Sequence, residues 1–386
     1  MSSTSASSPL APGSTFDSGG YRYTVHRTLV SNPAYDSLLL ASREHPRQTR
    51  QLLVVLKPVN LGDEHEAQHR ALEEVQLARH LHHPNIAAVL GAAVFEGRPY
   101  IVMEHTRGCF LLSVMDAAWQ SGTTLSPAFA AYVAAEVAEA LEYAHGCRDD
   151  EGRPLKLVHR AVGPLRIRLV EGGHVKLTNF GAALSELLGR LPSPRGLLRG
   201  DPAYLAPEIL RGALHPTPGQ RDPCTPRNLD GRADLFSLGL VLLELLVAHY
   251  PLDPPEEPWT DVRVPLPAHV RSERPPLLKL ETLANRVLRL GPEEVERASQ
   301  AVPEPLRRIV ATALRQEPTE RYPTAGDMAT ELRQYLLTLG KPYGTKQLEQ
   351  EVARVLKSAS DYRGLDAYGT VEGGVLPLPP DMEDAQ

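Results

Sequence analysis

The chain has 386 residues, of which 42% are hydrophobic and 23% charged, a composition that suits one large or two ordinary globular domains. Its formal net charge of -6 gives no overall attraction to nucleic acid or anionic lipid. Three widely spaced cysteines, Cys109, Cys147 and Cys224, form no CxxC pair, which argues against a disulfide framework or a structural zinc site. The longest apolar run is too short to span a bilayer, so we predict a cytoplasmic protein without a membrane segment.

The first part of the chain is rich in predicted strands. Residues 1–19 are rich in Ser, Gly and Pro and predict a disordered tail. From Tyr21 to about Glu104, apolar and β-branched runs alternate with polar turns, as in a sheet. One amphipathic helix, from about Glu64 to Leu81, interrupts these strands.

Helical patterns follow after Gly108. Ser126 and Pro127 are a good N-cap and first-turn pair for a long Ala-rich helix, and Asp234–Ala248 is apolar almost all round. The sequence thus predicts an α+β chain with a strand-rich lobe at about 20–104 and a mainly helical lobe at about 109–340. A Pro-rich surface loop at 214–227, a C-terminal helix at 341–360 and a disordered acidic tail at 361–386 complete the prediction.

A set of short motifs occurs in a fixed order along this pattern. They are Lys57 at a strand end, Glu74 on the next helix, His159-Arg160-Ala161, Asn179-Phe180-Gly181, Ala206-Pro207-Glu208, Asp234 to Gly239, and Arg321. In this order they resemble the signature set of protein kinases, in the style of bacterial Ser/Thr kinases, over about residues 20–340. The resemblance implies a two-lobed protein kinase-like fold, with an antiparallel sheet and one helix in the N-lobe.

The positions that carry phosphoryl transfer in the family are altered in this chain. The catalytic-loop carboxylate corresponds to Ala161, and the lysine that contacts the transferred phosphate corresponds to Gly163. The two metal ligands correspond to Arg166 and Asn179. A cation repels Mg²⁺ and a neutral amide binds it weakly, so we predict no catalytic residue and no metal site.

The nucleotide-binding positions are altered as well. Ser31, Pro33 and Asp36 occupy the places of the glycines whose backbone amides close over phosphates in the family. The resemblance also assigns five vestigial nucleotide-site positions: Lys57, Glu74, Met103, the bulky roof residue Val55, and Arg168 where the family has an aliphatic floor. These changes predict that no cofactor is bound and disfavour ATP binding.

The scaffold positions of the family are kept. Lys57 and Glu74 are expected to pair, with an exposed lysine and a solvated carboxylate as the alternative. The resemblance gives a structural role to five further residues: His159, Phe180, Glu208, Asp234 and Arg321. For Asp201 two interpretations stay open, a contact with Arg160 or Arg166 that fixes the loop, or a solvated loop carboxylate.

From these residues we predict a catalytically inactive, pseudokinase-type scaffold or regulator that acts by binding a protein, an active kinase or its substrate being the candidate partners. We expect no nucleic acid partner. The alternative is an atypical Ser/Thr protein kinase, or an ATP-binding switch, with degenerate catalytic motifs.

Overall fold

The computed structural model describes residues 10–32, 35–47, 51–59, 64–187, 200–215, 228–252 and 280–363. These residues form two compact units, the first running to His82 and including Ala87–Arg107, the second comprising His83–Ile86 and the residues from Gly108 onward. The predictions for residues 1–9, for loop residues 216–227 and for the tail after residue 363 lie outside the described residues. So do Pro33 and the side chains of Ser31 and Asp36.

The first unit is built on an antiparallel sheet of six strands in the order β1-β2-β3-β4-β6-β5. The strands are β1 (Thr15–Ser18), β2 (Tyr21–Asn32), β3 (Tyr35–Glu44), β4 (Gln51–Pro58), β5 (Val89–Phe95) and β6 (Arg98–Glu104). Helix α1 (Glu64–Ala78) packs on β5 and β6. Ala67 and Ala71, two residues of its predicted apolar face, are buried.

Alternation along β4 gives the sheet two buried faces. Val54 and Leu56 join a cluster of buried side chains that includes Tyr23, Leu39 and Val102. Because successive side chains in a strand point to opposite faces, Val55 and Lys57 lie on the other face, and both are at least 90% buried. This second face carries the candidate functional residues of the first unit.

The prediction of a disordered tail over residues 1–19 is wrong for its second half. Strand β1 pairs with β2, and Leu10 is buried in the sheet's cluster. The Phe16 ring stacks on Tyr23 with a centroid distance of 5.1 Å. Burial of Leu10 and packing of the partly buried Phe16 offset the entropy of ordering the short strand. The many Ser, Gly and Pro residues around them give no sign of this packing.

The second unit is mainly helical and has one small antiparallel sheet, in the order β7-β8-β9. Its strands are β7 (Gly108–Phe110), β8 (Ile167–Val170) and β9 (His174–Leu177). Its helices are α2 (Leu111–Gln120), α3 (Pro127–His145), α4 (Pro207–Leu214), α5 (Arg232–Val247), α6 (Leu280–Arg289), α7 (Pro292–Ala298), α8 (Glu304–Ala313), α9 (Ala325–Leu337) and α10 (Thr345–Arg363).

Helix α5 is the centre of the second unit. Every residue from Ala233 to Leu245 is buried, as an all-round apolar helix requires. Helix α3 packs on both α5 and α9, and it begins where the sequence predicts, with Ser126 Oγ accepting a hydrogen bond from the Phe129 amide at 3.1 Å. The predicted α+β class is confirmed. Across the described ranges no helix has both the length and the apolarity to cross a membrane.

Candidate functional site

Lys57 and Glu74 form an ion pair within the first unit. Strand β4 delivers the lysine and α1 delivers the glutamate, so that Lys57 Nζ lies 2.7 Å from Glu74 Oε1 and 2.8 Å from Oε2. Only 11% of the Lys57 side chain and 8% of the Glu74 side chain are exposed. A buried pair that engages both carboxylate oxygens fixes the ammonium group in one place.

The roof position Val55 lies beside this pair. Val55 is two residues before Lys57 on β4 and pairs with Met103 on β6, so these three side chains share one face of the sheet. Val55 is 8% exposed. The structure therefore brings four of the predicted nucleotide-site residues, Lys57, Glu74, Val55 and Met103, together in the first unit.

In the second unit Asp234 holds the loop that contains Ala161. From the first turn of α5 its carboxylate accepts hydrogen bonds from the His159 amide at 2.7 Å and the Arg160 amide at 2.8 Å. Its Oδ2 also lies 2.9 Å from Nε2 of His145. Asp234 is fully buried, so these partners are what stabilise its charge.

His159 is a buried, neutral packing residue. Its Nε2 faces the Thr178 carbonyl at 3.1 Å and therefore donates, while its Nδ1 accepts from the Ala161 amide at 3.2 Å. Its ring meets Phe180 edge-on with centroids 4.6 Å apart. Burial lowers the pKa of His159 to about 4. Both nitrogens are satisfied in this tautomer, and a second proton would point at the Ala161 N–H.

The four altered catalytic positions lie on and next to this loop. Ala161 is 4% exposed, and a Cβ at Gly163 would come within 3.2 Å of Cδ2 of Tyr204. The carbonyl of Arg166 accepts from the amide and hydroxyl of Thr178 at 2.8 and 3.1 Å. These bonds fix the backbone of Arg166 beside the residue that precedes Asn179.

Asn179 has a left-handed backbone, with φ of 62°, a conformation that Asn tolerates better than most residues. Its Oδ1 accepts from the Gly181 amide at 3.4 Å. It offers one neutral oxygen to a cation, and the Arg166 side chain offers none. In the described ranges no group of three or more His, Cys, Asp and Glu could hold a metal ion. These donors do not fit a pair of Mg²⁺ ions, whereas Lys57 fits a phosphate group.

Arg168, the predicted floor residue, lies across the small sheet. Its guanidinium carbon is 4.8 Å from the centroid of the Phe110 ring, and its Nη2 donates to the Gly108 carbonyl at 3.1 Å. Burial lowers the pKa of Arg168. The side chain therefore covers the β7–β8 pair with a cation, where the family has an aliphatic group.

Glu208 and Arg321 form a second buried ion pair. Nη1 and Nη2 of Arg321 each lie 2.8 Å from a different oxygen of Glu208, and the arginine side chain has no exposed surface. Asp201 caps a short turn, its Oδ1 accepting from the Ala203 amide at 3.0 Å. Arg160 donates Nε to the Ala182 carbonyl at 2.9 Å. The proposed link between Asp201 and a loop arginine stays a prediction.

Sequence reasoning missed several polar partners in the second unit. The Tyr204 hydroxyl donates to Glu244 at 2.6 Å, and the Tyr250 hydroxyl donates to the Ala203 carbonyl. The contact between His145 and Asp234 was also not predicted. A lone glutamate within the apolar run of α5 was the available signal, because a carboxylate buried there requires a donor. Nothing in the sequence identified the donor as Tyr204.

These features define a protein kinase fold in which the Lys57–Glu74 and Glu208–Arg321 ion pairs are formed and residue 161 is alanine. The protein kinase domain family matches residues 43–332, and the chain belongs to that family.

Individual relatives support the same assignment. The chain is 31% identical over 324 residues to serine/threonine-protein kinase PknJ of Mycobacterium tuberculosis, covering 83% of this chain and 46% of the relative. It is 30% identical over 267 residues to tyrosine-protein kinase MasK of Myxococcus xanthus, covering 68% of this chain and 35% of the relative. The chain thus spans less than half the length of these relatives. The crystal structure of the Mycobacterium tuberculosis PknI kinase domain matches with a TM-score of 0.52 at 23% identity, covering 84% of this chain and 99% of that one, which supports the fold.

Two predictions from the sequence are contradicted by these relatives. The chain was predicted to be no enzyme, and ATP binding was disfavoured. Relatives that match most of the chain are named as kinases, a class that uses ATP with Mg²⁺. Both predictions rest on four substituted side chains, whereas much of phosphoryl-transfer catalysis derives from positioning.

Proposed function

We propose that this chain binds ATP and acts as an atypical protein kinase, transferring phosphate to serine or threonine hydroxyls of a protein. The observation that carries the proposal is the buried Lys57–Glu74 pair. In protein kinases the lysine of such a pair contacts the nucleotide phosphates, and the pair must be formed for activity. Here both carboxylate oxygens hold the ammonium group, at 2.7 and 2.8 Å.

The altered loop determines how the transfer would run. The acceptor hydroxyl oxygen forms the new bond to the γ-phosphorus as the bridging bond to ADP breaks. The hydroxyl proton passes to a phosphate oxygen or to water, because Ala161 accepts none. A general base is worth about 10²–10⁴ in rate, so its loss slows the reaction without removing the positioning and charge contributions.

Arg166 places a positive charge at one of the altered metal-ligand positions. A guanidinium neutralises phosphate oxygens directly and in a fixed geometry. We infer that Arg166 supplies positive charge to the transferred group, in place of a second metal ion. Asn179 would contribute its single amide oxygen to a cation that is carried mainly by the nucleotide phosphates.

Thermal shift with ATP, in the presence of Mg²⁺ or Mn²⁺, tests the binding step. A ligand at 100 times its Kd stabilises the folded state by about 2.7 kcal/mol, so wild type is expected to melt at a higher temperature with millimolar ATP. The Lys57→Met variant should lose this shift. The control is Lys156→Met, which removes an exposed lysine that pairs with Glu186 at 2.8 Å and should keep the shift. Equal ATP shifts in wild type and Lys57→Met, or none in wild type, would overturn the proposal.

Transfer is tested with γ-labelled ATP and mass spectrometry of the chain and an added acceptor protein. Wild type should label slowly, Lys57→Met not at all, and Ala161→Asp faster by up to about 10²–10⁴ because a carboxylate is restored.

A second candidate function is an ATP-dependent switch without transfer. The substitutions at Ala161, Arg166 and Asn179 favour it, because they affect transfer and leave Lys57 in place. A clear ATP shift combined with no label in either wild type or Ala161→Asp would select this function over the kinase.

A further inference from the structure

Helix α10 begins beyond the residues 43–332 that match the kinase family, yet it is closely packed on the second unit. Leu348 is 1% exposed, Val355 has no exposed surface and Ala359 is 1% exposed. The helix contacts α2 and α3. Burial of this apolar stripe fixes α10 against the fold.

A polar anchor fastens the same helix. Glu351 accepts hydrogen bonds from the backbone amide of Ser126 at 2.6 Å, from its hydroxyl at 2.8 Å and from the Tyr343 hydroxyl at 2.9 Å. Only 11% of the Glu351 side chain is exposed. Burial and the neighbouring carboxylate raise the pKa of Tyr343, which keeps its hydroxyl protonated as a donor. Ser126 is also the N-cap of α3, so one residue joins two helices.

The first turns of α10 lie against the turn between β8 and β9. The Gly172 amide donates to Glu349 at 3.1 Å. Gly173 has φ of 76°, and a Cβ there would lie 1.8 Å from the Thr345 carbonyl oxygen. This contact between two backbones is possible because residue 173 is glycine.

The other end of this hairpin carries two altered catalytic positions. Strand β8 follows Arg166, and β9 leads through Thr178 to Asn179. Thr178 bonds to the Arg166 carbonyl through both its amide and its hydroxyl, so the two chain segments are joined directly beside both altered positions. Four strand residues span roughly 13 Å. Over this short distance the two paired strands can transmit a displacement of the turn to Arg166 and Asn179.

We propose that α10 is a positioning brace, which holds the β8–β9 turn and thereby sets the positions of Arg166 and Asn179. Glu349 and Thr345 contact the turn, and Glu351 fastens the helix to Ser126. These are positioning residues, since none of them belongs to the altered loop itself. Displacement of α10 releases the hairpin and raises the KM for ATP, a consequence that rests on the proposed function.

The test uses two substitutions of Ser126 in the full chain. Asp and Asn are both good helix N-caps, so each preserves the start of α3. Ser126→Asp places a negative charge against Glu351, whereas Ser126→Asn is neutral and still donates. Hydrogen exchange is followed separately in α10, in residues 174–179 and in α5, together with the KM for ATP and kcat.

Ser126→Asp is expected to speed hydrogen exchange in α10 and in residues 174–179 and to leave exchange in α5 unchanged. The KM for ATP should rise about five-fold or more, about five-fold being the lower end of the usual coupling between two sites. Ser126→Asn should keep the wild-type exchange rates and the wild-type KM for ATP. A second variant, Leu348→Asp, disrupts the apolar stripe, and Lys357→Asp is its control on an exposed position of α10.

Faster exchange in α10 with unchanged exchange at 174–179 overturns the brace, and so does unchanged exchange of α10 in both Ser126→Asp and Leu348→Asp. If wild type binds no ATP, the proposed function fails, while exchange at 174–179 still decides whether α10 positions the hairpin.

Discussion

The Glu208–Arg321 pair provides the sharpest test of what holds the second unit together. Arg321 makes five hydrogen bonds, two to Glu208 and three to the carbonyls of Arg315, Arg232 and Gln316. Glu208→Gln keeps the shape and removes the charge, which leaves the buried guanidinium without the carboxylate that contacts it directly. Breaking a buried pair in this way costs about 3–5 kcal/mol. We expect a value near the lower end, because 14% of the Glu208 side chain remains exposed.

The matched control is Glu186→Gln. The Lys156–Glu186 pair has the same 2.8 Å nitrogen–oxygen distance, but its side chains are 67% and 60% exposed, and pairs of this kind contribute less than about 1 kcal/mol. Urea unfolding of the two variants measures both costs. If Glu208→Gln costs no more than Glu186→Gln, burial has no effect on the strength of an ion pair of equal length, contrary to this prediction.

Two further predictions concern buried titratable groups. The folded-state pKa of His159, about 4, lies below its ordinary value of 6.5, so the unfolded chain binds the proton first and stability falls by about 3 kcal/mol as the pH drops from 6.5 to 4. His159→Phe should lack this part of the acid destabilisation in urea titrations at several pH values, and an identical pH dependence would contradict the assignment. Burial raises the pKa of Cys109 to about 11, so iodoacetamide at pH 8 should label Cys109 in urea and leave it unmodified in the native protein, as mass spectrometry can show.

The sequence was sufficient for the class of fold and for the positions of most elements. Apolar and β-branched runs placed the strands around Lys57, and an apolar helix around Asp234 predicted a buried centre. Both signals are local, and burial in the structure follows them. The strand at Thr15–Ser18 was missed because its gain comes from Leu10 and Phe16 packing on residues farther along the chain, which a composition count does not register.

The partners of polar groups were harder to predict than the groups themselves. Glu244 is visible in the sequence as a charge in an apolar helix, but its donor, Tyr204, is 40 residues away. Arg168 could be placed on a strand, whereas its position across Phe110 depends on the pairing of β7 with β8. Local patterns specify the face of an element, and long-range packing specifies what that face meets.

The same distinction applies to the altered catalytic positions. Ala161 and Asn179 lack the groups that the family has at these positions: one base, and one charged metal ligand. The structure adds that the surrounding framework is intact, because Asp234 holds the loop backbone and Thr178 ties Arg166 to the segment before Asn179. A framework held in this way keeps the loop backbone in position, and positioning is one of the two main contributions to phosphoryl-transfer catalysis, beside electrostatic stabilisation. The Ala161→Asp variant measures the contribution of the missing base directly, since it restores a carboxylate to a backbone that is already in place.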